Sequence, residues 1–393
     1  MRDQRSADAQ QPTYLTAVFL GSTAFVFLNF GLPIRADDLG ITAFGIGGMY
    51  AVFTGTMLLV RPVVGYCLDR FGRRWFFTFA FIFYTGAMVV LSRSVDITDF
   101  YIARFLQGLG ASFMWVSART IVADTNDIST RGMAMGKLTT TSVRGGMMGA
   151  FYGFTLLGFM PMQQAWLWAF SGYALMALFG GVWALFKVQE TKVRHAGVLR
   201  EKLEWTPALR KVMFVVFLSA FASALIEPIY LLYLKNKFDL NVMLLAMTFL
   251  PSGLVFAILP RYAGSWSDRW GRAPVIALGV AFAGFVSMTL PFWPSILMVA
   301  ASYILFSVGW AMASPAQDAL VADLAPDALR GTVLGTKEAA AGIGAACGPL
   351  IGGYLYDNWS QEMAFVVNGV LLLITAGLAL LWFRGAGFVR TSS

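Results

Sequence analysis

The sequence predicts an all-α membrane protein in which twelve transmembrane helices form two pseudo-symmetric six-helix bundles. Of its 393 residues 58% are hydrophobic and 13% are charged, whereas about 25% of a soluble domain is charged. The mean hydropathy is +0.67. Together with a long internal repeat, this composition indicates that most of the surface faces lipid.

Twelve apolar runs are long enough to cross a bilayer, since a helical span needs about 20 residues. The longest polar interval lies between the sixth run and the seventh. It predicts bundles at 1–187 and 209–393, joined by a cytoplasmic linker at 188–208. The predicted spans are 13–34, 43–67, 75–95, 98–123, 132–158, 163–187, 209–234, 241–265, 274–293, 297–323, 331–357 and 360–384.

The internal repeat is carried by two charged loops between apolar runs. GYCLDRFGRR at Gly65–Arg74 and GSWSDRWGR at Gly264–Arg272 share the spacing G-x-x-x-D-R-x-G-R and are offset by 199 residues. The same offset relates Asp124 to Asp323 and Arg131 to Arg330. A constant offset over such distances indicates two homologous halves.

The basic residues predict the orientation, because cytoplasmic loops are enriched in Lys and Arg. They concentrate in the termini, the repeated loops and the middle loop, whereas the opposite loops offer only Arg35, Arg93, Lys235 and Lys237. We therefore expect a multi-pass inner-membrane protein with both termini cytoplasmic. The first apolar run should stay in the membrane as an anchor, because a polar N-terminus precedes it and no cleavage site follows a short apolar core.

The other chemical groups are sparse. The net charge of +8 is distributed over short loops and forms no continuous patch, which argues against nucleic acid. Cys67, Cys347 and His195 have no companions at metal-ligand spacing. We expect no cofactor, metal site or disulfide.

The motifs resemble those of the major facilitator superfamily. Both repeated loops are similar to its signature between the second and third helices of each half, and RFLQGLGAS, beginning at Arg104, resembles the fourth-helix motif of its proton-coupled drug antiporter branch. The eleventh helix has the glycine and proline spacing of that branch's antiporter motif, which the family places in its fifth helix. These positions are Gly335, Gly344, Gly348, Pro349, Gly352 and Gly353.

The repeated loops predict a conformational latch. A carboxylate at Asp69 or Asp268 can accept hydrogen bonds from the free N–H groups that open a helix of the other half, and the arginines can pair with Asp124, Asp323 or lipid phosphates. The alternative is that these charges only set the topology. The latch candidates are Asp69, Arg70, Gly72, Arg73, Asp124, Arg131, Asp268, Arg269, Arg272, Asp323 and Arg330.

Ionisable groups inside the spans indicate a cavity, because a charge is costly in lipid and usually faces water or a partner. On the fourth helix, Arg104, Gly108, Ala111, Trp115 and Arg119 share one face. The tenth helix repeats this face as Tyr303, Ser307, Trp310, Ser314 and Asp318. The resemblance implies a cavity lined by the first, fourth, seventh and tenth helices. Our candidates for its wall are Asn29, Trp115, Arg119, Arg144, Glu227, Tyr230, Trp310 and Asp318.

Arg119 and Asp318 occupy equivalent positions in the two halves. Opposite charges at equal depth can approach each other across a pseudo-two-fold axis when the cytoplasmic side closes. They are predicted to form a gate pair, with substrate binding and unrelated structural roles as the open alternatives.

Proton coupling needs a carboxylate whose charge state alters the preferred conformation. The N-terminal half has no acidic residue deep in its spans, so the candidates are Glu227, then Glu338 and Asp318, with Arg104 from the fourth-helix motif. Glu227 ranks first because it shares a helix face with Ser219, Ser223 and Tyr230. A structural hydrogen bond at the turn before Pro228 remains the alternative for Glu227.

These features favour a secondary active transporter over an enzyme or a receptor. No G-x4-G-K-[ST] phosphate cradle is present to support ATP hydrolysis, and no nucleophile or metal set is visible. The resemblance implies alternating access and proton-coupled export of amphipathic drug-like or lipid-like compounds. The alternative is proton-coupled or exchange transport of a small organic anion. The expected partners are a small-molecule substrate, protons and membrane lipid, with a monomeric chain.

Overall fold

A computed structural model describes residues 13–126, 128–191, 204–238, 242–326 and 329–383. Apart from one 3₁₀ turn, the regular elements within these ranges are all α-helices, and the predicted fold class is confirmed. We number twelve helices, counting the first as one helix with a break at Ser22 and Thr23. They are α1 (Thr13–Asp38), α2 (Ala43–Phe71), α3 (Arg74–Ser92), α4 (Ile97–Thr125), α5 (Ile128–Phe159), α6 (Met162–Lys187), α7 (Pro207–Phe238), α8 (Val242–Trp270), α9 (Arg272–Thr289), α10 (Ile296–Leu324), α11 (Arg330–Asn358) and α12 (Met363–Phe383).

Several helices are longer than the apolar runs that predicted them. The second run was predicted to end at residue 67, but α2 continues to Phe71 and is 29 residues long. At 1.5 Å per residue such a helix is about 44 Å long, so it extends past a hydrocarbon core of about 30 Å into the polar interface. Apolar content therefore locates a helix but underestimates its length.

Nine segments of the described residues are long and apolar enough to span a membrane, and the protein is a multi-pass membrane protein. The three helices outside that set are α4, α5 and α8. All three carry arginines within the helix, among them Arg104 and Arg119 in α4, Arg144 in α5 and Arg261 in α8. Cavity-facing helices carry such charges more often than lipid-facing ones.

The helices group into two compact units. The first contains Met1–Ile41 and Val52–Val198, and the second contains Thr42–Ala51 and Leu199–Ser393. In the first unit α3 packs against α4 and α6, and α1 packs against α5. In the second, α9 packs against α10 and α12, and α7 packs against α11. The same neighbours recur one repeat later, so the duplication seen in sequence is also present in the packing.

The first turns of α2 belong to the second unit. Asp357, near the end of α11, accepts hydrogen bonds from the backbone N–H groups of Ala43 (3.1 Å) and Phe44 (2.7 Å). These N–H groups lie in the first turn of α2 and have no intrahelical acceptor. A carboxylate from α11 therefore caps the start of α2.

Glycines allow close helix contacts at equivalent places in the two units, as their spacing predicts. A side chain at Gly344 would place its Cβ 2.5 Å from the carbonyl oxygen of Phe217, and one at Gly348 would lie 2.6 Å from that of Phe221. The equivalent glycines of α5, Gly145 and Gly149, face carbonyl groups of α1 in the same way. Because lipid provides no hydrophobic driving force between helices, such close backbone packing holds each pair together.

Candidate substrate cavity and motif clusters

Helices α7, α8 and α10 enclose a cavity of about 350 Å³ within the second unit. Ser223, Glu227 and Tyr230 are one helical turn apart on α7 and present one face to it. Four of the five residues predicted to form a face on the tenth helix also line it, and Phe256 of α8 completes one wall. The described residues that line it are Ser223, Ile226, Glu227, Tyr230, Phe256, Tyr303, Phe306, Ser307, Trp310 and Ser314.

The cavity wall is largely aromatic. The ring centroids of Tyr230 and Tyr303 are 4.7 Å apart, and Tyr303 stacks on Phe306 at 6.1 Å. The indole Nε1 of Trp310 is buried and has no hydrogen-bond partner among the described residues. A bound molecule with an acceptor near Trp310 would satisfy this donor, since an unpaired buried N–H group costs free energy.

Glu227 is the only carboxylate among the described residues that line this cavity. Its side chain is exposed, as expected for an ionisable group that faces a solvated cavity. Aromatic faces and a carboxylate together attract an organic cation, through cation–π interactions and direct charge attraction. A largely apolar wall with few polar groups is also typical of small-molecule pockets.

Asp318 is absent from the cavity lining and belongs to a charged cluster with Lys337 and Glu338. Lys337 Nζ lies 2.6 Å from Asp318 Oδ1 and 3.4 Å from Glu338 Oε1. Lys337 is the most buried of the three, with 17% of its side chain exposed. Asp318 therefore has a cationic partner within its own unit, and its pairing with Arg119 stays a prediction.

The first unit holds the other predicted cavity residues. The Arg119 guanidinium lies 5.9 Å from the Trp115 ring centroid, while the side chains of Asn29 and Arg144 are exposed. Arg104 is 2% exposed. Arg104 donates to Gln107 Oε1 at 2.8 Å and lies 4.8 Å from the Phe53 ring centroid. Sequence reasoning missed Gln107, although its i+3 spacing from Arg104 was visible.

The first repeated loop forms a buried ion pair with the end of α4. Arg73 Nε lies 2.9 Å from Asp124 Oδ2, and the two side chains are 5% and 7% exposed. Arg73 also lies 3.7 Å from Asp69, whose side chain is 70% exposed. Gly72 adopts a φ of +100°, a conformation that is costly for residues with a Cβ. This glycine turns the chain so that Arg73 reaches Asp124.

Glu190, which sequence reasoning missed, caps α3. Its carboxylate accepts hydrogen bonds from the backbone N–H groups of Arg73 (2.8 Å) and Arg74 (3.2 Å). Thr191 beside it donates to Asp124 at 3.3 Å. The sequence signal was an acidic residue just after the sixth helix, but its target is far away in the chain.

The second repeated loop forms the equivalent ion pair, and its side chains are more exposed to solvent than those of Arg73 and Asp124. Arg272 Nε lies 3.0 Å from Asp323 Oδ2, with the side chains 21% and 51% exposed. Arg272 also pairs with Asp268, and Gly271 adopts a φ of +91°. The structure thus brings together equivalent arginine and aspartate pairs in both halves.

The remaining latch candidates are more peripheral. Arg131 donates to the backbone carbonyl of Ala123 at 2.9 Å, and the Arg70 guanidinium lies 5.6 Å from the Phe71 ring. Arg269 and Arg330 are exposed. The capping of a helix in the other half by Asp69 or Asp268 stays a prediction.

Two bundles with one repeated packing pattern, each carrying an arginine–aspartate cluster at a loop of equal spacing, are typical of membrane transporters built from duplicated helical bundles. The family model described as Major Facilitator Superfamily matches residues 14–336 and 212–391. The chain belongs to this family, and the protein is a membrane transporter.

Relatives match over most of the chain at low identity. Multidrug resistance protein 1 of Bacillus subtilis (strain 168) is 25% identical, covering 94% of this chain and 96% of its own. The human chromaffin granule amine transporter is 25% identical over 85% of this chain and 64% of its own. A bacterial homologue of the human lysosomal transporter Spinster, solved inward-facing and occupied, has a TM-score of 0.76 at 15% identity, covering 97% of this chain and 96% of its own.

Proposed function

We propose that the protein is a proton-coupled exporter of amphipathic, drug-like or lipid-like organic compounds in the inner membrane. Residues 1–187 and 209–393 would be the two bundles that move in alternating access, joined by 188–208, with both termini cytoplasmic. The relative named as a multidrug resistance protein, matched over nearly its full length, supports this function.

The observation that carries the proposal is the aromatic cavity around Glu227. Its volume of about 350 Å³ lies within the roughly 300–1,000 Å³ typical of small-molecule sites. Tyr230, Tyr303 and Trp310 offer ring faces for an apolar or cationic body, and Glu227 supplies one negative charge. Such a site selects for amphipathic character more than for one molecular shape.

Glu227 is also the residue to which we assign proton coupling. Protonation would remove the negative charge of the cavity wall and thereby weaken the binding of a cation, so proton and substrate would compete for one group. Asp318 and Glu338 are less suited to this role, because both carboxylates contact Lys337 and their protonation would deprive a half-buried lysine of its partner.

A small organic anion is the second candidate substrate, favoured by the arginines of the first unit. Arg144 lies within α5, is exposed, and makes no ion pair with any described residue. Arg119 contributes a second exposed guanidinium on α4. Exposed guanidinium groups inside membrane-spanning helices are suited to a carboxylate or a phosphate.

The proposed gate between Arg119 and Asp318 has a direct test. Asp318→Asn and Arg119→Gln should each impair transport, while the charge-swapped double variant should recover part of it, since only the double restores opposite charges. Because Asp318 also contacts Lys337, Lys337→Gln serves as the comparison. Independent, additive losses in the double variant would exclude the gate.

The two substrate classes are separated by transport into proteoliposomes under an imposed pH gradient. We expect the gradient to drive accumulation of a lipophilic cationic dye and expect amphipathic amines to inhibit it. Inhibition by small carboxylates but not by amines would favour the anion alternative. Accumulation that is independent of the gradient would contradict proton coupling.

A further inference from the structure

A second cavity lies at the end of the first bundle where α1 and α3 end and α6 begins. Its volume is about 410 Å³, and it shares no lining residue with the cavity around Glu227. Its lining is Arg35, Ser92, Arg93, Ser94, Val95, Gln163, Gln164, Trp166 and Leu167. None of these residues has a role in the transport function proposed above.

Arg35 is a buried cation at this cavity and has no ionic partner within the part of the chain that the structure describes. Its side chain comes from the last turn of α1, and the residue is 9% exposed. Its Nε atom is buried without a hydrogen-bond partner, and Arg35 makes no ion pair with any residue that the structure describes. The C-terminal dipole of α1 favours a positive charge there, but a dipole leaves the Nε–H donor unsatisfied.

The start of α6 adds further donors. The residue that precedes the helix is Pro161, which provides no side-chain cap. Gln163 and Gln164, both in the first turn of α6, line the cavity. Backbone N–H groups in the first turn have no intrahelical acceptor, and the N-terminus of a helix attracts anions.

None of the described residues that line this cavity is a carboxylate that could neutralise it. Arg93 is exposed at its edge and adds a second guanidinium. The acids nearest to Arg93 in sequence lie at the start of α4, where Asp96 accepts from the N–H of Thr98 at 2.8 Å and Asp99 accepts from the N–H of Val95 at 2.9 Å. Asp37 and Asp38 follow Arg35 in the last turn of α1, but they are not among the lining residues and form no ion pair with Arg35. The site therefore has two positive charges, one of them buried, and a helix N-terminus.

The cavity has a rigid inner wall. Trp166 is 1% exposed, and its Nε1 donates to the Leu91 carbonyl at 2.7 Å. Its ring packs on Phe170 with centroids 4.4 Å apart. The wall is thus fixed before any ligand arrives, which lowers the entropy cost of binding.

We propose that this cavity is a binding site for a phosphate-bearing anion, held by Arg35, Arg93 and the first turn of α6. Arginine forks and helix N-termini both match phosphate oxygens. Arg35 and Arg93 are two of the four basic residues that the sequence places on the non-cytoplasmic side of the membrane, and both line this cavity. Loops on that side are usually poor in Lys and Arg. The phosphate can come from an anionic lipid headgroup or from free phosphate.

The two sources are distinguished with the full chain purified in detergent, following its thermal unfolding by tryptophan fluorescence. One arm adds phosphatidylglycerol, with phosphatidylcholine as the matched zwitterionic lipid. The other adds sodium phosphate, with sodium chloride at equal ionic strength. We expect stabilisation by phosphatidylglycerol or by phosphate beyond its matched reference, because binding to the folded state raises the unfolding midpoint.

Arg93→Glu and Gln163→Glu test the site at two exposed positions. Each places a negative charge at the cavity, and we expect each to raise the half-saturating ligand concentration by about tenfold, since a charge reversal replaces attraction by repulsion. Arg35→Gln should have a similar effect if it folds. The control is Arg210→Glu, which reverses the charge of an exposed residue in the first turn of α7.

The result that supports the site is a response that Arg210→Glu keeps and that Arg93→Glu and Gln163→Glu weaken. A response to phosphatidylglycerol alone assigns the site to lipid, and one to phosphate alone assigns it to the free anion. No response in either arm, or equal weakening by Arg210→Glu, would overturn the proposal.

Discussion

The two arginine–aspartate clusters share their sequence spacing and differ in their solvent exposure. The Arg73–Asp124 side chains are 5% and 7% exposed, whereas those of Arg272 and Asp323 are 21% and 51% exposed. Glu190 and Thr191 cover the first cluster. The position one repeat after Glu190 lies outside the described residues. Duplication has therefore kept the ion pair while its surroundings have diverged, so equal motifs need not contribute equally.

The largest expected difference is between Asp124→Asn and Asp323→Asn. Removing one partner of a buried ion pair costs about 3–5 kcal/mol, whereas an exposed pair contributes about 0–1 kcal/mol. Asp69 remains near Arg73 in the variant, so we expect the lower end of the first range. Unfolding midpoints in detergent should fall by several degrees for Asp124→Asn and by far less for Asp323→Asn. Equal shifts would remove the distinction between the clusters.

An intermediate effect is expected from the two glycines with positive φ. Gly72→Ala and Gly271→Ala should each cost about 1–3 kcal/mol, because a Cβ disfavours a backbone conformation with positive φ. Gly72→Ala should cost more, since a Cβ at Gly72 would collide with the Glu190 carboxylate. A Cβ at Gly271 would instead have Pro274 Cδ as its nearest atom, at 3.6 Å. Gly65→Ala, at a helical site with no neighbour within 4 Å, is the control and should not destabilise.

The smallest effect is expected from Glu190→Ala. This change removes the acceptor for the first N–H groups of α3 and should cost about 1 kcal/mol, as other lost N-caps do. The neighbouring exposed Gln189 provides the matched control as Gln189→Ala. If both variants have the same unfolding midpoint, Glu190 does not stabilise the first cluster.

The sequence predicted the helices well because lipid imposes a simple rule: about 20 apolar residues per span. The constant offset also identified both clusters, and helical periodicity brought four residues of the tenth helix to one face. Each of these relations is local or a repeat of a local one. The spacing of residues along the chain was therefore the only information that these predictions required.

Other contacts could not be predicted, because they depend on tertiary packing between distant segments. Nothing in the sequence pairs Glu190 with the start of α3 or Asp357 with the start of α2. The Lys337–Asp318 contact joins α11 to α10, and hydropathy says nothing about such pairs. The cavity at Arg35 also depends on where three helix ends converge. The number of basic residues in each loop predicts the membrane orientation but does not show such a convergence.

Glu227 is the group that we propose to link the proton gradient to substrate in the cavity of the second unit. The measurement that tests it most directly compares Glu227→Gln with Glu338→Gln in proteoliposomes, with uphill accumulation and downhill exchange followed in parallel. We predict that Glu227→Gln abolishes uphill accumulation and spares exchange, because exchange needs no change in protonation, while Glu338→Gln retains both. Wild-type pH dependence of uphill transport in Glu227→Gln would contradict the assignment of proton coupling to Glu227.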